Sequence, residues 1–254
     1  MNRPRPRDGT KDVLVLCYHA ISESWPAPLS VTPHSLERQL RLLVARGYRG
    51  ATFTEAVLAP PAPRTLAVTF DDAYRSVLEL GFPVLSELGL PGTVFVPTAF
   101  AGSEAPMAWP GIDHWLDGPH ERELRPMSWD ALRELAGSGW EIGSHTHTHA
   151  HLPQLDDVPL SQELSHSRRE CEQRLGVPCR SLAYPYSDHD RRVAEASRAA
   201  GYEAAGILRG RPRRPDPLRW PRIGVYHTDD LARFRLKISP AVRRIRSIRA
   251  WIAR

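Results

Sequence analysis

Residues 66–72 read Leu-Ala-Val-Thr-Phe-Asp-Asp, a short apolar run that stops at two adjacent carboxylates. The apolar part, 66–70, has the pattern of a buried strand. Similar runs recur on either side, at 12–18 (DVLVLCY), 91–97 (PGTVFVP), 140–145 (WEIGSH), 180–185 (RSLAYP), 202–208 (YEAAGIL) and 220–226 (WPRIGVY). Helical patterns separate them. Over 33–46, Leu36, Leu40 and Leu43 fall at helical spacing, and Gly47 stops the helix. Residues 74–89 read as helical with a break at Gly81 and Pro83. Further helices are expected at 128–137, started by Ser128, at 159–175 and at 190–200. A long loop, 98–127, carries Trp109 and Trp115. Strand–helix alternation of this kind implies a parallel sheet covered by helices, open or closed into a barrel.

In both forms functional side chains collect at the carboxyl ends of the strands. Four strands here end in groups that bind metals or move protons. His19 follows 12–18, Asp71 and Asp72 follow 66–70, His145, His147, His149 and His151 follow the WEIGS run, and Tyr184-Pro185-Tyr186 follow RSLA. Alone, the Asp pair also fits a cap for a helix starting at 73, and the His run also fits a surface tract. Together, imidazole and carboxylate make an N/O donor set that suits zinc and similar ions, and three such donors leave one position open for chemistry.

With 254 residues, 41% hydrophobic and 25% charged, the chain suits one sizeable core. The 24 prolines are scattered among short elements. Cys17, Cys171 and Cys179 have neither disulfide-framework nor thiolate-metal spacing and read as buried or incidental thiols. The basic start, MNRPRPRDGTKD, is followed by too short an apolar run for a signal peptide or a membrane span, so a cytoplasmic location is expected. Residues 231–254 hold eight basic side chains and no acid, leaving −3 of the total +5 for residues 1–230. Positive charge therefore belongs to the tail, and no nucleic-acid partner is expected.

VTFDDAY, EIGSHTHTH and LAYPY, in this order and spacing, resemble the polysaccharide deacetylases of carbohydrate esterase family 4 over roughly residues 12–235. The resemblance implies a distorted (β/α) barrel of about seven parallel strands with the active site at their C-terminal ends. It implies a catalytic domain at 12–238, after a flexible N-terminus at 1–11. Asp71 is implied as catalytic base and Asp72 as metal ligand. The H-[ST]-x-x-H pattern fits His145 with His149 and His147 with His151. The preceding Gly143-Ser144 and the position of Leu152 select His145 and His149. The metal implied is divalent, zinc first, with cobalt, nickel or manganese as alternatives.

The segment VLCYHAI resembles the subgroup that contains biofilm exopolysaccharide deacetylases, which makes His19 the general acid, with His227 in reserve. Arg222 or Arg180 is implied to hold the base, Arg222 preferred, and the Tyr186 backbone N–H to stabilise an oxyanion. Tyr184, Pro185, Trp109 and Trp115 are the expected substrate contacts. Three departures stand out: Ala73 and Ser187 occupy positions where glycine is usual, and LAYPY lacks the arginine that many members place shortly before the Pro-Tyr. The activity implied is removal of an N-acetyl group from an amino sugar or glycan, which is the partner implied; the same metal chemistry on a non-sugar amide or an O-acyl ester, and a non-catalytic carbohydrate-binding protein, are the alternatives. The basic segment 239–254, with Val242, Ile245, Ile248 and Ile252 at helical spacing, reads either as an amphipathic helix on an anionic membrane, which would suit a lipid-linked substrate, or as a helix packed on the domain.

Overall fold

The computed structural model describes residues 12–208 and 216–243. The chain enters through β1 (Asp12–Tyr18) and a small parallel pair, β2 (Ala20–Ile21) and β3 (Ser30–Val31). Thr32 caps α1 (Pro33–Ala45), which buries Leu36, Leu40 and Leu43. β4 (Arg49–Ala51) and α2 (Phe53–Leu58) follow, and Thr52 and Glu55 form a capping box on α2. After β5 (Arg64–Phe70), a π-helical turn at Val77–Gly81 runs into α3 (Phe82–Glu87). Strands and helices then alternate through β6 (Gly92–Val96), α4 (Trp129–Gly137), β7 (Glu141–Ser144), α5 (Asp157–Leu175), β8 (Ser181–Ala183), α6 (Arg191–Ala199) and β9 (Ala204–Ile207). β10 (Trp220–Pro221), β11 (Ile223–Gly224) and α7 (Leu231–Ile238) follow.

The main sheet runs β10-β9-β8-β7-β6-β5-β1-β11, with every pairing parallel, and β4 lies along the first half of β5. The expected single strand at 220–226 is in fact two. Trp220 and Pro221 pair with Gly206 and Ile207 of β9, while Ile223 and Gly224 pair with Leu16 and Cys17 of β1. Only Arg222 stands between the two pairings. One stave thus changes partner at Arg222 and brings the two edges of the sheet together. Counting β10 and β11 as halves of that stave, seven staves form a nearly closed distorted barrel, and β4 adds a short eighth strand.

β4 and α2 are not foreseen by the sequence reading, because three and six residues are too short to display a period. The break expected at Gly81 and Pro83 takes the form of a widened turn. Phe82 N–H donates to the Val77 carbonyl, and the chain continues helical past Pro83. Pro240 to Arg243 are helical, and the rest of the proposed tail helix lies outside the described residues, as does the expected flexible N-terminus.

Strand alternation sorts the core into two layers. Leu14, Leu16, Leu66, Val68, Val94, Ile142 and Leu182 face outward and pack with the helices. Val15, Ala67, Phe95, Ala183 and Ala204 form a separate inner cluster, joined from α2 by Phe53, which meets Phe95 edge-on at 5.4 Å. Small residues dominate that lumen because seven staves leave little room inside. Crowding is also tight at Gly92, where a β-carbon would lie 2.4 Å from the Trp140 ring. Trp140 is itself stacked on Phe70. Gly92→Ala is therefore expected to cost about 2–3 kcal/mol by overpacking. In a thermal melt that is a fall of roughly 5–10 °C in Tm; an unchanged Tm would show that Trp140 repacks freely.

Candidate active site

The alternation that places Ala67 in the lumen also places Thr69 and Asp71 there, and β7 delivers His145 to the same end. Asp72, His145 and His149 are all buried, and their donor atoms lie within 4.8 Å of one another. His145 Nε2 is 3.3 Å and His149 Nε2 3.4 Å from the same oxygen, Asp72 Oδ1. A tetrahedral ion bound at about 2.0–2.1 Å holds its ligands roughly 3.3–3.4 Å apart, so the spacing fits zinc or a similar ion. Asp72 Oδ1 is buried and has no hydrogen-bond partner, as a ligand oxygen would be without its ion.

The two imidazoles are oriented by different means. His145 Nδ1 pairs with the Ala183 carbonyl at 2.7 Å, which leaves Nε2 free to ligate. His149 Nδ1 has no partner. Its ring is held between Trp109, stacked at 4.2 Å, and Tyr186, edge-on at 4.7 Å. Burial would raise the Asp72 carboxyl, but the two imidazoles that face it outweigh burial and hold the group well below the usual carboxylate range. Burial pushes His149 down, toward the neutral form that ligates.

Asp71 stands outside this set. Arg222 donates from Nη1 to Oδ1 at 2.6 Å and from Nη2 to Oδ2 at 2.8 Å. Nη1 also reaches Thr69 Oγ1. Burial opposes ionisation of Asp71, but Arg222, His145 and His19 overcome it and bring the carboxyl down to about 2. The Cys17 thiol donates to Oδ2 at 3.3 Å, and His19 Nε2 lies 4.0 Å from the same oxygen. The guanidinium lies over the Phe95 ring and beside Gly206. A β-carbon on Gly206 would meet Arg222 Nε at 2.5 Å and Cδ at 2.7 Å. Gly206→Ala is accordingly expected to push the guanidinium off Asp71; in a reaction that uses Asp71 as its base, turnover should fall by about 10²-fold, the usual cost of a misplacement near 1 Å. Metal content should be unchanged, and equal turnover in the variant would separate Arg222 from the work of the site.

A cavity of about 300 Å³ opens over both groups. His19, Asp71, Asp72, Trp109, His145 and His149 line it, with Tyr184, Tyr186 and Tyr226 at its sides. Of the seven non-glycine residues at positive φ among the described residues, six cluster here: Asp72, Ala73, Thr146, His149, Tyr186 and Ser187. Left-handed backbone costs a non-glycine residue about 1–2 kcal/mol, and such strain gathers at functional sites. Ala73 (φ 54°) and Ser187 (φ 58°), the two departures from glycine, both carry this conformation. Ser187 offsets part of the strain, since its Oγ accepts from Leu208 N–H at 2.7 Å.

The remaining sequence candidates fall in different places. His147 pairs with Thr98 Oγ1, and His151 lies 3.2 Å from Asp188 and stacks on Tyr186; neither lines the cavity. His227 is exposed and outside the cavity lining. Arg180 pairs with Glu203 at the surface, not with Asp71. Trp109 packs a face on His149, while Trp115 meets Trp25 edge-on and does not reach the cavity. Tyr184 is buried, lines the cavity and donates its hydroxyl to the Leu218 carbonyl; Pro185 is buried behind it. Sequence reading does not single out Thr69, Gly206 or Tyr226, and treats Cys17 as incidental. Only the period-two alternation from Ala67 to Asp71 carries a signal for Thr69.

A nearly closed parallel barrel thus carries, at its C-terminal mouth, an Asp-His-His set that could hold a metal ion and a separate ionised carboxylate beside it. Residues 59–205 match the polysaccharide deacetylase family, and the chain belongs to it. It is 24% identical to the Bacillus subtilis protein YxkH over 194 residues, 74% of this chain and 62% of that one. It is 23% identical to the poly-β-1,6-N-acetyl-D-glucosamine N-deacetylase of Staphylococcus aureus, over 62% of this chain and 53% of that one. The chain therefore spans less than two thirds of the length of these curated relatives. A polysaccharide deacetylase from Bacillus cereus shares the fold, with a TM-score of 0.73, 24% identity, and coverage of 90% of this chain and 69% of that one. IcaB from Ammonifex degensii does so at a TM-score of 0.70 and 24% identity, over 90% of this chain and 97% of that one.

Proposed function

We propose that this protein hydrolyses the N-acetyl group of an amino sugar within a glycan, releasing acetate and a free amine. The observation that carries this reading is Asp71, a carboxylate in the metal pocket that is engaged by Arg222 and left out of the ligand set. A binding module has no use for such a group, whereas a hydrolase needs one to take a proton from water. Family membership supports the same class of reaction, and the name of the Staphylococcus aureus relative supports N-acetylglucosamine as the sugar type.

Asp72, His145 and His149 would hold the ion, which supplies Lewis acidity and makes water acidic enough to react near neutral pH. Asp71 accepts the proton of the attacking water, and Arg222 keeps its two oxygens aimed and ionised. The Tyr186 backbone N–H donates to the oxyanion that develops on the acetyl oxygen. His19, at the end of the neighbouring strand, gives a proton to the departing nitrogen, which is a very poor leaving group as an anion. Its place on the cavity wall favours it over the exposed His227. Trp109 acts through His149, and Tyr184 and Tyr186 flank the sugar.

Acetate release across N-acetyl sugars, chito-oligosaccharides, lipid-linked N-acetyl sugars and aryl acetates tests the proposal. Turnover of the glycans is the expected result; turnover of aryl acetates alone would reassign the enzyme to O-acyl esters. The basic segment 239–254 extends the proposal to a lipid-linked acceptor at the cytoplasmic face of a membrane. Flotation with anionic vesicles should recover the full chain and leave a chain cut after residue 239 behind; equal recovery of both would remove the membrane from the scheme.

A further inference from the structure

A second donor set lies beside the first. Cys17 Sγ, one ring nitrogen of His19 and one carboxylate oxygen of Asp71 lie within 4.8 Å of one another, and all three residues are buried. Among the described residues, only this group and the Asp72 group meet that spacing. The thiol stands 3.3 Å and the imidazole 4.0 Å from the shared carboxylate oxygen. Tetrahedral zinc, bound at about 2.3 Å by sulfur and about 2.0–2.2 Å by nitrogen and oxygen, spaces S from O by roughly 3.5 Å and N from O by roughly 3.3 Å. Modest side-chain shifts therefore suffice to close the set around an ion. His19 is buried, with 8% exposure, and its Nδ1 has no hydrogen-bond partner, so the ring can turn without breaking a hydrogen bond there.

We infer that Cys17, His19 and Asp71 form a second, weaker site for a thiophilic divalent cation, zinc in excess or cadmium, and that filling it stops the enzyme. A mixed sulfur, nitrogen and oxygen set selects such ions over magnesium or calcium. On binding, the sulfur–hydrogen bond breaks, a sulfur–metal bond forms, and the proton leaves to solvent; no electron is transferred. The site is weaker than the first because Arg222 already holds both Asp71 oxygens and the first ion repels a second. Binding stands on the geometry alone. Inhibition rests on the reading of Asp71 and His19 as base and acid, since an ion on both leaves neither able to move a proton.

Full-length protein loaded with one equivalent of zinc is titrated with cadmium, following the ultraviolet thiolate-to-cadmium absorption and the metal content after dialysis. The wild type is expected to show the thiolate band and a second ion per chain. Cys17→Ser should lose the band, keep the first ion and bind the second at least tenfold more weakly, while Cys171→Ser and Cys179→Ser keep the band. His19→Ala, which leaves the thiol in place, should also weaken the second ion. It decides the matter if Cys17→Ser fails to fold, as judged by circular dichroism. A band that survives in Cys17→Ser, or a wild type saturated by one ion, overturns the site. A wild type that takes up the second ion with its band yet releases acetate at full rate keeps the site and overturns the base-and-acid reading instead.

Discussion

Asp71→Asn is expected to lose about 10³-fold in turnover, within the range a positioned general base contributes, while still binding its metal. Asparagine keeps the shape and can still accept a hydrogen bond from Arg222, but it cannot take a proton from water. Retention of metal is expected because Asp71 is not in the Asp72, His145 and His149 set. The substitution has a second effect. Arg222 is buried, with 5% exposure, and loses the one ionic partner it has among the described residues. Breaking a buried pair from one side costs about 3–5 kcal/mol. Loss of turnover with full metal content and a lower Tm is therefore the combined expectation. Kinetics should place the loss in kcat and leave KM near the wild-type value. A variant that keeps more than a tenth of wild-type turnover would remove Asp71 from the role of base.

Removing the metal is expected to abolish turnover altogether. Chelation should do this reversibly, with zinc, cobalt, nickel or manganese restoring activity to different degrees. His145→Ala should do it permanently, because the imidazole fixed by the Ala183 carbonyl is lost from the set proposed to hold the ion. His147→Ala should keep both metal and turnover, since His147 faces Thr98 and Glu170 instead. Stability offers an independent measure. An ion at a thousandfold excess over its Kd stabilises the fold by about 4 kcal/mol, roughly 8–16 °C in Tm for a chain of this size. Elemental analysis should find about one divalent ion per chain before any excess is added. Hydrolysis at the wild-type rate by protein shown to be metal-free would end the metal scheme.

Much of the site can be read from local patterns. Asp71, Asp72, His145 and His149 follow short apolar runs, and strand ends are where a parallel α/β fold gathers its functional groups. The strands themselves announce their faces: Val15 and Cys17 alternate with Leu14 and Leu16, as Ala67 and Thr69 alternate with Leu66 and Val68. Less visible are elements too short for a period, such as Arg49–Ala51 and Phe53–Leu58. The loop at 98–127 hides its role for another reason. Trp109 is a loop aromatic by sequence, and only its stacking on His149 makes it a support for a candidate metal donor.

The pair that opened the sequence, Asp71 and Asp72, divides the two kinds of information. From sequence alone came the carboxylates, the imidazoles that could share a metal with them, and the strand ends that would carry them. Each of these depends on residue type and short-range spacing. Tertiary structure decided what surrounds each carboxylate. Asp72 turns into the left-handed region and meets two imidazoles, while Asp71 stays in the lumen and meets Arg222. Arg222 arrives there because one stave switches from β9 to β1, a step that exists only when the sheet comes round on itself. Gly206 matters only because that guanidinium lies against it. No local pattern encodes such a contact, since it follows from the circumference of the whole ring and from which side chains the last stave turns inward.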